Sequence, residues 1–309
     1  MIVVVANPAA AAGRVGRQRA RIETRLRAAG VDDVRWTEAP GDARRLAAEA
    51  AARGAARVGS LGGDGTHHEV AAGLLDAGGG AAMGVLPFGT GGDFARMTVA
   101  GHDAGAALAA LCDAPARRID VGRVTWLQDG QTRTDIVLNI VSVGLGGLVD
   151  RNVERLPKRL GGRLTFFVAT VQAAWSWRPA TVRVHVDGRD LGAHCVDNVF
   201  ACNARFGGGG MRWAPDAVLD DGRLDVLIAQ HRSFARQVAA APTLYRGDVA
   251  TLAGFERHVA ATVDVEPVDG PLWIDLDGEP VGTGGVRVEA VPEALSVVGL
   301  RPDVVGRQG

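Results

Sequence analysis

The strongest constraint in the sequence is an alternation that runs through its first 118 residues. Short apolar runs, "IVVVANP", "DVRWTEAP", "ARVGSLGG" and "AAMGVLPFG", take turns with helical stretches such as "RVGRQRARIETRLRAAG" and "DARRLAAEAAARG". Strands separated by helices pair in parallel, because a parallel neighbour needs a long crossover connection. This part is predicted to be an α/β domain, doubly wound around a parallel sheet. After "RRIDVG" the pattern changes to alternation with period two, as in "TVRVHVDGRDLG" and "RLDVLIA", with Asp-Gly pairs at 187–188, 221–222 and 277–278. Such runs predict antiparallel hairpins. Two helical inserts, "RLTFFVATVQAAWSW" and "SFARQVAAAPTLYRG", interrupt them. The boundary is placed near Arg118, giving a first domain of residues 1–118.

Composition narrows the class. With 309 residues and 47% hydrophobic content the chain can bury a substantial core, and two domains are expected. A net charge of −1 lacks the basic excess that displaces counterions from nucleic acid, so no nucleic-acid partner is expected. Three scattered cysteines, Cys112, Cys195 and Cys202, make neither a disulfide framework nor a zinc motif. The cytoplasm is the expected compartment. The start "MIVVVANPAAAAG" lacks a charged leader, and the run "IVLNIVSVGLGGLV" is too short and glycine-rich to span a bilayer.

Two glycine loops carry the chemistry. In "GSLGGDGTHHEV" the loop Gly62-Gly63-Asp64-Gly65 follows a strand and opens a helix, with Thr66 and Glu69 at the spacing of a capping box. Exposed N–H groups and the positive helix end at such a turn suit an anion, and glycines let it approach. The dinucleotide fingerprint fails at His68, and a Walker A loop would need a lysine. Taken alone, the loop is equally well a tight turn. "VLPFGTGGDFARM" repeats the arrangement, with Gly89, Thr90 as N-cap and Asp93 as its N3 acid. Ligands of doubly wound sheets sit at the carboxyl ends of the strands, where both loops fall, and Asn7 and Gly13 after the first strand border the same crevice.

These residues resemble the diacylglycerol kinase catalytic family of lipid kinases, related to sphingosine and ceramide kinases and more remotely to NAD kinases. The likeness rests on "NPAAAAG", "GGDGT" at 62–66, "PFGTGGDFAR" at 87–96, "FGGGGMRWAPDAVLDDGRLDV" at 206–226 and "DLDGEP" at 275–280, in the family's order. Gly92 departs from it, standing where the family usually carries Asn. The resemblance implies an NAD kinase/phosphofructokinase-like first domain and a mainly antiparallel β-sandwich at 119–285. It also implies a closing segment, 286–309, that returns to the first domain. The implied activity is ATP-dependent phosphorylation of a diacylglycerol-like lipid hydroxyl in a cleft between the domains, with ATP and Mg2+ as cofactors.

By the same resemblance, Asn7, Gly13, Gly62, Gly63, Gly65, Thr66, Gly89, Thr90 and Asp93 contact the nucleotide. Asp64 organises the metal-bound phosphates or serves as base, while Asp277 and Glu279 form the pair that activates the hydroxyl, with Glu279 the base. Asp221 and the carbonyls of Val218 and Arg223 hold a structural Mg2+, with Asp120 linking that site to Asp93. Arg14, Arg17 or Arg19 would replace the missing lysine.

Other readings remain beside these. "DGE" at 277–279 is also simply a hairpin, and His67 and His68 read as an exposed helix surface. The segment "LTFFVATVQAAWSWRP" after the basic "RNVERLPKRLGGR" is either an amphipathic helix on the second domain or a membrane-facing lip. The partners expected are a lipid, a membrane surface touched peripherally at its inner face, and a second copy of the chain. An NAD kinase shares "GGDGT" but not the N-terminal or 206–226 motifs; a non-catalytic nucleotide or lipid binder is the third reading.

Overall fold

A computed structural model of the chain describes residues 1–88, 92–155, 169, 172–173, 176–270 and 272–306. Two compact units emerge. Unit one comprises Met1–Val121, Val218–Asp221 and Pro292–Gly309; unit two comprises Gly122–Ala217 and Gly222–Val291. The second expected domain is thus interrupted, since Val218–Asp221 counts with the first unit, and the returning segment begins at Pro292.

Unit one opens with β1 (Ile2–Ala6), α1 (Ala10–Arg17), α2 (Arg19–Ala28), β2 (Asp33–Trp36), α3 (Asp42–Ala52), β3 (Arg57–Gly62), α4 (Asp64–Asp76), β4 (Ala82–Pro87) and α5 (Ala104–Asp113). The strands pair in parallel in the order β2-β1-β3-β4, and the chain's last strand, Val286–Val298, adds to β4 in parallel through Ser296 and Val297. Helices cover both faces. Val4, Ala6, Leu61 and Leu86 pack with Val15, Ile22, Leu26 and Leu111 of α1, α2 and α5, while α3 and α4 contact β1 and β3. Each fully buried leucine, such as Leu61 or Leu111, stabilises the unit by roughly 1.5–3 kcal/mol. Alternation of strand and helix thus does what the sequence implies: an α/β unit with a parallel sheet.

Unit two is antiparallel. β5 (Ala116–Gln128) enters it and pairs with β6 (Gln131–Val137); then follow β7 (Ile140–Gly144), α6 (Leu145–Arg155), β8 (Ala180–Val186), β9 (Arg189–Cys202), β10 (Phe206–Gly207), β11 (Met211–Arg212), β12 (Leu224–Gln230) and α7 (Phe234–Arg246). The chain continues through β13 (Phe255–Ala260), β14 (Thr262–Pro267), β15 (Trp273–Leu276), β16 (Glu279–Thr283) and β17 (Val286–Val298). The strand order is β16-β15-β7-β9-β8-β14-β17, and β12 and β13 extend from β9. Inward-facing Val141, Val143, Val182, Val184, Val226, Ile228, Val263 and Val265 share one core.

Asp-Gly turns close three hairpins with both residues left-handed: 129–130 (φ 51° and 75°), 187–188 (49° and 76°) and 277–278 (53° and 93°). The pair at 221–222 is a correction: no strand pairing closes over it, because Val218–Asp221 belongs to unit one. The insert at 163–177 lies largely outside the described residues. The second insert is α7, which accommodates Pro242. Among the described residues no helix is long and apolar enough to cross a membrane.

The α3–α4 contact tests the packing of unit one. Gly73 lies inside α4, where alanine would ordinarily gain about 1 kcal/mol of helix stability. Here a Cβ would collide with the Arg44 carbonyl oxygen of α3 and lie 3.0 Å from its Cα. Backbone cannot yield as a flexible side chain does, so the clash outweighs the propensity. Gly73→Ala is expected to lower unfolding stability by about 1–3 kcal/mol in a urea titration; an unchanged or higher midpoint would contradict this packing.

Candidate functional site

In unit one the loops after β1, β3 and β4 lie at the same edge of the sheet, because those strands are parallel. Side chains tie them together. Asn7 takes the Ala9 amide on Oδ1 (2.9 Å) and donates from Nδ2 to Thr66 Oγ1 (3.1 Å). Asp64 Oδ1 accepts the Phe94 amide at 3.4 Å, joining the start of α4 to the loop after β4. Glycine at 62 is required by packing, since a Cβ there would collide with the Thr66 side chain. Asn7, Gly62, Gly63, Asp64, Gly65 and Thr66 therefore converge as a polar, glycine-walled group.

The loop after β1 has unusual backbone. Ala11, Ala12 and Gly13 are successively left-handed, with φ of 52°, 56° and 76°. Strain of this kind in alanines persists only where the surroundings enforce it. Arg17 braces the loop by donating from Nη1 to the Ala12 carbonyl at 3.3 Å. Arg19 is engaged elsewhere, paired with Glu23 at 3.0 Å and stacked 4.8 Å over Trp36. All three candidate arginines are exposed, and Arg14 is the one without a partner among the described residues.

Four expectations need correction. Gly63, not Thr66, precedes α4, so Asp64 lies in the first turn, where the helix dipole favours an acid. Glu69 does not close a capping box; its carboxylate accepts the amides of Gly41 and Ala43, both at 3.0 Å, and so caps the start of α3. His67 and His68 are buried, not a surface. Asp93 directly precedes a single 3-10 turn, Phe94–Met97, rather than standing at N3 of an α-helix, and lies 3.7 Å from the Arg96 guanidinium.

Gly89 and Thr90 lie outside the described residues. Gly92, the departure from the family pattern, is left-handed (φ 61°), and a Cβ there would run into the His102 ring, 2.9 Å from Nδ1. A side chain there would have to displace the exposed His102 ring and adopt the left-handed backbone.

In unit two the two expected catalytic acids differ in their surroundings. Asp277 directs its carboxylate into the backbone: Oδ2 accepts Leu138 N–H at 2.8 Å, and Oδ1 accepts Asn139 and Ile140 N–H at 2.7 and 3.1 Å. Its own amide bonds the Ile140 carbonyl at 3.1 Å. A carboxylate so engaged holds a turn. Glu279, two residues on, is exposed at the start of β16. The 138–140 partners were missed by sequence reasoning; the polar Asn139 inside an apolar run was the available signal. Asn203 reinforces the same segment, donating from Nδ2 to the Leu138 carbonyl at 2.9 Å.

The glycine-walled loops of unit one, with an acid at a helix start, fit a polyphosphate accompanied by its cation. Val218 and Asp221 belong to unit one and Arg223 to unit two. Among the described residues no three His, Cys, Asp or Glu side chains gather as a metal cluster. Asp120 accepts the Glu293 amide at 2.8 Å and donates its own to the Leu219 carbonyl at 2.6 Å, bracing the 218–221 segment within unit one.

Two family models together match most of the chain. Residues 1–124 match the diacylglycerol kinase catalytic domain, and residues 139–299 match the YegS C-terminal NAD kinase beta sandwich-like domain. The chain is 36% identical over 284 residues to a protein of Pseudomonas fluorescens Pf-5 named "Probable lipid kinase YegS-like", covering 90% of this chain and 89% of that one. A Pseudomonas aeruginosa PAO1 protein of the same name is 35% identical over 271 residues, covering 85% and 83%. Among solved structures, a diacylglycerol kinase from Bacillus anthracis str. Sterne superposes with a TM-score of 0.70 at 19% identity, covering 98% of both chains. At that identity the likeness is one of fold.

Beneath the loop, His67 Nδ1 meets Ser60 Oγ at 2.8 Å. Burial pushes the imidazole down to about 4, with the neighbouring Asp64 charge pulling the other way. The folded chain therefore holds His67 neutral, whereas the unfolded chain takes up a proton near the ordinary value of 6.5. Stability from this group is complete above about 6.5 and falls as pH drops towards 4. Relative to about pH 7.5, this histidine is expected to make the protein about 2 kcal/mol less stable at about pH 5. Urea titrations of the wild type and of His67→Gln at both pH values isolate it: the pH difference shrinks by that amount in the variant, and an identical difference in both would refute the assignment.

Proposed function

Because the chain belongs to the YegS-like lipid kinases of the diacylglycerol kinase catalytic family, we propose that it uses ATP to phosphorylate the hydroxyl of a diacylglycerol-like lipid. The observation that supports nucleotide use most directly is the convergence in unit one. Three strand-end loops, bound to one another through Asn7–Thr66 and Asp64–Phe94, gather glycine backbone and one acid at a helix start. ATP would supply the phosphoryl group, and an accompanying Mg2+ would neutralise the charge that develops on the phosphates. The backbone of Gly62, Gly63 and Gly65 would receive the phosphates, and Asp64 would hold the cation.

Unit two contributes the acid for the acceptor. Glu279 takes the proton of the lipid hydroxyl as the hydroxyl oxygen bonds to the γ-phosphorus of ATP and the bond from that phosphorus to the bridging oxygen breaks, releasing ADP. Asp277 is a positioning residue in this reading: its hold on Leu138, Asn139 and Ile140 fixes the Asp-Gly turn from which β16 starts. The lipid is taken up from a membrane surface without a spanning helix, so activity rises when substrate is presented in anionic vesicles or mixed micelles.

A labelled-ATP transfer assay against a panel of extracted lipids and NAD tests the proposal. Label is expected in a lipid and not in NAD. Glu279→Gln is expected to reduce transfer by about 100-fold or more while ATP binding, followed by calorimetry, stays near the wild-type value. Asp64→Asn is expected to lose about 100- to 1,000-fold in a folded protein. Label in NAD alone would instead make the chain a nucleotide-cofactor kinase, and near-normal transfer by Asp64→Asn would reduce the first loop to a structural turn.

A further inference from the structure

Unit two carries a glycine turn that phosphoryl transfer leaves unused. β10 and β11 form a two-residue ladder, with Phe206 opposite Arg212 and Gly207 opposite Met211. Between them Gly208, Gly209 and Gly210 take φ values of 63°, 79° and 104°, conformations that side chains rarely adopt. Packing fixes one end of the turn: a Cβ at Gly207 would stand 2.8 Å from the Ile140 side chain. The tip is open, since a Cβ at Gly209 would meet nothing within 4 Å.

Arg212 closes the other end. Its guanidinium lies 5.7 Å from the centroid of the Phe206 ring, and its stem packs on Gly247, with Cβ, Cδ and Nε each 3.3 Å from where a Cβ there would be. Nε is shielded from solvent and makes no hydrogen bond among the described residues, and no described carboxylate pairs with this arginine. By contrast, Arg257 bonds Asp225 and Asp216 at 2.6–2.9 Å and Arg246 pairs with Asp248 at 3.3 Å, while Arg232, whose Nε also makes no hydrogen bond among the described residues, stacks 4.5 Å over the Phe255 ring. Arginine cannot shed its charge, so a half-buried guanidinium without a counter-ion calls for an anion. Its planar fork matches two oxygens of one group, and bare glycine backbone lets that group come close.

We propose that Arg212 and the Gly207–Gly210 turn form a binding site for a phosphate group, carried either by a free phosphate compound or by a phospholipid headgroup. The turn shares its support with the acid-bearing hairpin, because Ile140, against which Gly207 packs, gives its amide to Asp277. The site requires neither ATP nor an acceptor hydroxyl, so it stands or falls apart from the kinase reading.

The test uses the full chain without nucleotide. Inorganic phosphate is titrated by calorimetry, and flotation is measured with phosphatidylcholine vesicles containing or lacking phosphatidic acid. Wild type and Arg212→Gln share the loops of unit one, so the difference between them reports this site. Arg212→Gln is expected to bind at least about tenfold more weakly, with Arg212→Lys intermediate because an ammonium restores charge without the fork. Weakening towards inorganic phosphate and vesicles alike assigns a free phosphate compound; weakening towards phosphatidic acid vesicles alone assigns a headgroup. Equal binding by wild type, Arg212→Gln and Arg212→Lys, or no binding of either probe by wild type, would overturn the proposal.

Discussion

The grip of the Asp277 carboxylate on three consecutive amides organises the chemistry-bearing end of unit two. Each hydrogen bond to a charged acceptor contributes about 1.5–3 kcal/mol, and three donors left without an acceptor in a partly buried segment would be expensive. Once Leu138–Ile140 is held, β7 begins in register with β15, Asn203 closes on the Leu138 carbonyl, and Gly207 finds Ile140 in place. The Asp-Gly turn is then locked from both sides, and Glu279 leaves it in a defined direction.

Unit one solves a different problem with similar means. Parallel strands deliver three loops to one edge, but the loops need cross-links to keep a common geometry. Asn7 and Asp64 provide them, each through a single bond, and Thr66 is pressed against Gly62 so closely that no side chain fits there. Below, the neutral pair Ser60–His67 fills the space under the start of α4 without adding charge to it. The arrangement leaves backbone as the main lining of the loops.

The alternation of strand and helix made unit one legible, because period and turn residues are local properties. The same holds for the hairpins at 187–188 and 277–278, where Asp-Gly supplies two left-handed residues. What stayed hidden was long-range. Glu69 caps a helix that begins 27 residues earlier in the chain, so its local spacing to Thr66 misled. His67 and His68 look polar in sequence but belong to a helix buried on most of its circumference. Asp277 reads as a reactive acid until its partners, more than 130 residues upstream, are seen to occupy it. Gly92 looked like a lost contact, whereas its left-handed backbone and the neighbouring His102 ring make glycine the easiest residue to place there.

The division of labour between Asp277 as anchor and Glu279 as acid is the centre of this account, and amide hydrogen exchange at Leu138, Asn139 and Ile140 tests it most directly. In the wild type these amides are expected to exchange at least about 100-fold more slowly than open loop amides. The protection should persist in Glu279→Gln and disappear in Asp277→Ala. Rapid exchange in the wild type, or protection that survives the loss of the Asp277 carboxylate, would contradict it.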